Sequence, residues 1–266
     1  MIAGTLEVEG RTVAVLDDGT GMERRLSPRP HLHPVRTLGG RLVTDVRPDD
    51  HLHHHGVGIA VPDVDGTSYW GGRTYVRGEG SRELGNHGVQ RLAAPGGTVD
   101  WTDRHGRLQI REQRRTTATP DPEGWLLRWR STVEALAPLS VGSPATNGRD
   151  GAFYGGWLWR TPFATAQVHV AEGEGTATAH GSTSPWLSLS AEGVWLLAVQ
   201  RAEPLPWFVR TEGWVGFGPA WAVDRRRELR PGEPLHVHLD VLVGDGHRSG
   251  PQHRDTAARL LGQDTP

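Results

Sequence analysis

Apolar and polar residues alternate with a period of two along much of the chain, and helical periodicity is almost absent. Over residues 125–136, Trp125, Leu127, Trp129 and Val133 fall on one side, and Arg128, Arg130, Thr132 and Glu134 on the other. That pattern is a strand with one face on a core and the other toward water. Residues 98–102 and 107–117 flank Asp103-Arg104-His105-Gly106, and 120–124 turn into the Trp125 strand. Nearer the N-terminus, 5–8 and 12–16 flank Glu9-Gly10-Arg11, and 34–37 and 41–45 flank Leu38-Gly39-Gly40. Both are hairpin signals. The short apolar run 57–61 suits a buried strand.

The stretch 137–150 is rich in Pro, Gly, Ser and Asn and reads as a long loop crossing between sheets. Beyond it, 153–160, 166–170, 186–189, 194–200, 207–211 and 233–243 read as strands. Only 255–261 looks helical, with Asp255 as its cap. Many short strands and no internal repeat predict an all-β protein, a single large antiparallel β-sandwich. One domain is expected over 1–266, with a short helical or flexible tail from about 250.

Composition narrows the function classes. Eleven tryptophans supply apolar surface for a real core although only 36% of residues are hydrophobic. With 29 basic residues against 31 acidic ones there is no electrostatic footprint for nucleic acid or an anionic membrane. All the basic residues are arginines, a pattern of GC-rich coding that lowers the weight of any single arginine. Cysteine is absent, which excludes thiol nucleophiles, disulfides and zinc–thiolate sites. Neither a signal-peptide pattern nor an apolar run of membrane-spanning length is found, so a cytoplasmic protein is expected.

The densest chemistry lies in Asp49-Asp50-His51-Leu52-His53-His54-His55-Gly56, with His31 and His33 upstream in His-Leu-His-Pro. Imidazole suits both proton transfer near neutrality and metal ligation. If the run is extended, His51, His53 and His55 share one face and His54 points the other way. A divalent metal held by alternate imidazoles with His31 or His33 is one reading. Acid–base chemistry oriented by Asp49 or Asp50 is a second, and a polar loop closed by imidazole–backbone hydrogen bonds is a third. The density of histidine favours a site, and spacing alone leaves metal and proton transfer both open.

Other clusters carry less. His236, His238 and Asp240 alternate with apolar residues and read as the wet face of a sheet. Trp70, Tyr154, Trp157 and Trp159 lie beside glycines, where backbone or ligand can come close. Trp70 and Tyr154 are expected in a pocket, and Trp125 and Trp129 in the core. No Gly-x-Ser-x-Gly, P-loop or dinucleotide-binding pattern is present. A cupin would place Glu a few residues after His-x-His, where this chain has Gly-Val-Gly-Ile-Ala.

His33-Pro34-Val35-Arg36-Thr37, then Asp50 to Gly56, then Tyr69-Trp70-Gly71-Gly72 resembles the bacterial family labelled PmoA-like, soluble domains of unknown function. Tyr154-Gly155-Gly156 with Arg160, Pro206-Trp207-Phe208 and the closing Leu229 to Leu235 extend the resemblance over most of the chain. Leu52 and Val57 depart from the family's usual proline and leucine, and neither change removes a reactive group. The label borrows from a membrane methane monooxygenase subunit, whose function a chain without a transmembrane segment does not share.

The resemblance implies a galactose-mutarotase-like β-supersandwich whose concave face binds carbohydrate, and a sugar dehydrogenase as pathway partner. The expectation is a carbohydrate-active enzyme acting on a sugar or oxidised (keto) glycoside, of epimerase, lyase or hydrolase type. His51 and His54 are its acid–base candidates, with Asp50 as orienter and His87 as a further catalytic member. His33, Arg36, Trp70, Tyr154 and Arg160 are expected on the substrate. A non-catalytic carbohydrate-binding protein and a His-ligated metal-dependent oxidoreductase are the alternatives.

Overall fold

Two antiparallel sheets stack face to face in the computed structural model, which describes residues 1–94 and 97–263. The seven-stranded sheet runs Ile2–Val8, Arg11–Asp17, His31–Val35, Val57–Ala60, Gly156–Arg160, Trp214–Pro219, Trp207–Glu212. The nine-stranded sheet is centred on Leu235–Asp245, which pairs with Gly124–Ala135 on one side and Val194–Gln200 on the other. Every pairing within these two sheets is antiparallel, as the alternating pattern requires. The chain is an all-β sandwich. Among the described residues no helix is long and apolar enough to cross a membrane.

Period-two alternation decides what each face carries. Trp125, Leu127 and Trp129 point from the nine-stranded sheet into the core, where Trp129 meets Trp157 of the opposite sheet at 6.2 Å between ring centroids. Trp157 and Trp159 both belong to this core. One ion pair is buried with them: Glu112 accepts from Arg114 Nε at 2.7 Å, from its Nη2 at 2.8 Å and from Trp101 Nε1 at 3.2 Å.

The opposite face of the nine-stranded sheet is covered by the helix Gly250–Leu261, whose Ala257 and Leu260 pack on Leu126, Trp195, Leu197 and Leu242. This helix starts five residues before the expected 255–261, because Ser249 and Gln252 form a capping box and Pro251 follows. His236 lies on the solvent side as expected, whereas Asp240 is buried between Arg130 at 2.7 Å and Arg201 at 2.8 Å.

Other expectations shift by a few residues. The hairpin expected over 34–45 is reduced to a single bridge, Arg36 to Leu42, after the strand His31–Val35. The Asp245 carboxylate takes the Thr37 hydroxyl at 2.7 Å and the Gly39 N–H at 2.9 Å, docking the turn on the far sheet instead of extending the ladder. The 137–150 loop contains a short strand, Leu139–Gly142, in a three-stranded side sheet with Arg227–Leu229 and Asp63–Val64. Trp214–Pro219, with two interior glycines, gave no strand signal and is nevertheless a full member of the seven-stranded sheet.

The outward face of the seven-stranded sheet is where loops gather. Leu158, Phe208 and Trp214 point out from it and pack with Trp70 and Phe153 from the crossing loops, forming a third apolar cluster.

Candidate functional site

The histidine run lies on this outward face, in a loop closed by Gly56 N–H on the Asp45 carbonyl at 2.8 Å and Arg47 N–H on the His54 carbonyl at 2.8 Å. It is not extended. Two successive turns, His51 N–H to Pro48 O and His54 N–H to His51 O, both at 2.8 Å, coil it. His51, His53 and His54 therefore reach one cavity, and His55 reaches another with His31 and His33. A Cβ at Gly56, whose φ is +40°, would stand 2.1 Å from the Leu32 carbonyl, so the loop can rejoin the sheet only through glycine.

The larger cavity has a volume of about 580 Å³, the size of a small-molecule site. On its floor His51 and His54 stack at 4.6 Å between ring centroids, and His53 meets His54 edge-on at 4.8 Å. Trp214 backs the pair, 4.8 Å from His54 and 5.8 Å from His51. Gly216 lets that indole lie back along its own strand, since a Cβ there would be 2.8 Å from the ring. Trp70 and Tyr154, 4.6 Å apart, and Phe208 make an aromatic wall.

Burial sets the protonation states. It holds the His54 imidazole well below its ordinary range, with His53 and His51 adding to the effect. Burial and the Arg29 charge push His53 down to about 3. Both rings are neutral near pH 7, and His54 Nδ1 is buried without a partner. His51 Nδ1 approaches the Asp50 carboxylate to 2.8 Å, off the hydrogen-bonding axis. The imidazole beside it keeps the Asp50 carboxyl below the usual range. The rings stack instead of converging, and among the described residues no three His, Asp or Glu side chains are arranged to hold a metal ion.

Arg29 holds the two halves of the site together. Its guanidinium is buried and donates to the carbonyls of Trp70 at 3.0 Å and His53 at 2.6 Å, and to Ser27 at 3.0 Å. Among the described residues no carboxylate is paired with it, and burial alone lowers it to about 9. On the Trp70 side the chain comes so close that a Cβ at Gly72 would sit 2.8 Å from His53 Nδ1.

Asp50, His51, His54, Trp70 and Tyr154 thus line one cavity. Arg160 lies under it, buried against Trp214 at 5.0 Å and 3.3 Å from Asp45, with Nε and Nη1 unpartnered. His87 is buried behind the wall, where its Nε2 donates to the Gly72 carbonyl at 2.7 Å and supports the Trp70–Gly72 turn. His33 belongs to the second cavity, about 220 Å³, and its Nδ1 lies 3.0 Å from the Thr44 hydroxyl. Arg36 is exposed on the docked turn, donating to Gly40 O at 3.1 Å, and does not reach the large cavity.

Arg29, Phe208, Arg210, Trp214 and His180 were not marked as site residues by the sequence, although Phe208 falls in the Pro206-Trp207-Phe208 resemblance. Phe208 and Arg210 alternate with the inward Trp207 and Val209, a signal that becomes readable once the inner face is known. His180 takes the Val209 N–H on Nδ1 at 3.2 Å and so donates from Nε2 to the Gly151 carbonyl at 3.0 Å, fixing the 149–154 wall.

The model of a family of unknown function, DUF6807, matches residues 3–258, and the chain belongs to that family. No curated protein and no solved structure matches it.

Proposed function

We propose that this DUF6807 member is a carbohydrate-active enzyme that moves a proton on a sugar or keto-glycoside by imidazole acid–base chemistry. The observation that carries the reading is the stacked pair His51 and His54 on the floor of a cavity walled by Trp70 and Tyr154. Aromatic faces suit the C–H faces of a sugar ring, and imidazole is the side chain best matched to proton transfer at neutral pH. His51, paired with Asp50 at the mouth, serves as the base. His54, kept neutral by burial, has its Nδ1 buried, so its other ring nitrogen supplies the hydrogen bond to the substrate oxygen. Abstraction beside a carbonyl followed by reprotonation is epimerisation, and followed by departure of the β-substituent it is elimination.

The two stacked antiparallel sheets support the galactose-mutarotase-like reading at the level of architecture, and the continuity of the His-run and Trp-Gly-Gly elements supports the PmoA-like one. A sugar dehydrogenase would then supply the keto-glycoside.

The test follows solvent deuterium entering sugars and keto-glycosides in D2O by NMR, which reports proton exchange whatever the product is. Exchange that disappears in His51→Ala and His54→Ala, with melting temperature unchanged, is the expected result. Ligands that bind at Trp70 and Tyr154 without any exchange would replace the enzyme with a non-catalytic sugar-binding protein.

A further inference from the structure

We infer that the ligand of this cavity is an anionic sugar, one carrying a carboxylate, recognised by the guanidiniums that surround the histidine floor. The inference rests on the carbohydrate reading above and adds the charge of the substrate.

Arg73, Arg149 and Arg210 line the cavity. Among the described residues the ion pairs formed by arginines involve other arginines than these three. Arg73 gives one N–H to Ser81 O at 2.9 Å and Arg210 gives Nε to Glu212 O at 3.1 Å, which leaves most of each donor fork unspent. Two further guanidiniums stand behind the histidines. Arg29 is paired only with carbonyls, and Arg160 has one carboxylate contact and two buried N–H groups without partners.

The facing negative charge is smaller. Asp50 and Asp150 line the cavity and Asp45 lies beyond Arg160, so five guanidiniums face three carboxylates, of which Asp50 is engaged with His51 and Asp45 with Arg160. The histidines His53 and His54, kept neutral by burial, add no compensation in either direction. Arg29 and Arg160 are buried, where positive charge short of a counter-ion is costly, while Arg73, Arg149 and Arg210 are exposed at the rim and focus their field on an incoming anion. Lone arginines mean little in a chain whose every basic residue is arginine. What counts here is their convergence on one cavity.

The charge also reaches the reacting floor. Trp214 carries Arg210 at 5.2 Å and Arg160 at 5.0 Å over its ring, and packs on His54 at 4.8 Å. A carboxylate at this wall would be forked by guanidinium N–H groups and would favour the protonated form of the nearby imidazole.

Calorimetric titration of the full chain with a methyl hexuronide and the matching neutral methyl hexoside tests this, in both gluco and galacto configurations. The uronide should bind about tenfold tighter at low salt, an advantage of about 1.4 kcal/mol that shrinks at high salt. Arg210→Gln and Arg149→Gln, checked for unchanged melting temperature, should reduce uronide affinity to that of the hexoside. Equal affinities, or a preference for the hexoside, would overturn the anionic inference and leave the carbohydrate reading standing. Binding of neither sugar would overturn both.

Discussion

Arg29 Nη2 donates to the main-chain carbonyl of His53 at 2.6 Å, so a buried cation far from the histidine run sets where that run sits. Because the same guanidinium also holds the Trp70 carbonyl, it fixes the distance between the imidazole floor and the aromatic wall. Arg29→Met strips donors from several buried carbonyls at once, and a loss of roughly 3 kcal/mol is expected. Arg29→Lys keeps the charge without the planar fork and should lose about 2 kcal/mol. Urea denaturation at neutral pH measures both, and a cost below about 1 kcal/mol in either would show that the two loops hold themselves in place.

Acid should destabilise the protein through its buried histidines. His31 is lowered from the ordinary 6.5 to about 4 by burial, and His53 to about 3. The unfolded chain binds these protons below about pH 6.5 while the folded chain refuses them, so stability is full above that pH and falls as pH drops toward 4. His31 alone should account for about 2 kcal/mol between pH 7 and pH 4.5. Denaturation curves across that window, compared with those of His31→Gln, test the sign. A flat profile in the parent protein would contradict the burial argument.

Gly72 has a φ of +68° and no room for a side chain beside His53. Gly72→Ala combines left-handed backbone strain with a clash on the imidazole, and a loss of about 2 kcal/mol is expected. Gly66, with a φ of +79° and open space around its missing Cβ, is the control that carries the strain without the clash. Equal effects of the two alanine substitutions on stability, and on the His53 ring signals in NMR spectra, would mean that the close approach is unimportant.

The buried pair Glu112 and Arg114 is expected to be costly to break and cheap to replace whole. Arg114→Met leaves Glu112 ionised in the core and should lose roughly 3–5 kcal/mol. The double change Glu112→Leu with Arg114→Met should recover most of that loss, as chemical denaturation would report. A double variant no better than the single one would show that the pair, with Ser131 and Trp101, supplies net stability.

Much of the architecture was legible because sheet faces obey a period of two. Trp125, Leu127 and Trp129 needed no partner to be recognised as one face, and the turns at Glu9-Gly10 and Gly106 carry their own backbone signals. The side of the site formed by Asp50, His51, His54 and Trp70 was legible from local density of imidazole and from glycine beside tryptophan. Arg36 was misplaced relative to the cavity because Thr37 and Gly39 answer to Asp245, a partner on the other sheet. The helix start at Gly250 is encoded locally too, in the capping pair Ser249 and Gln252 ahead of the apolar periodicity.

By itself, then, the sequence determined the all-β class, the faces of the long strands and the stretch in which the chemistry lies. These depend on alternation and on side-chain type, which are local. Tertiary structure decided which imidazoles share a cavity, since two turns coil the run and send His55 to His31 while His51, His53 and His54 stay together. It also decided the charge around them, because Arg29, Arg160 and Arg210 come from distant strands and loops and meet the histidines only on the folded sheet. Burial and field are properties of assembled neighbours, and no spacing along the chain encodes them.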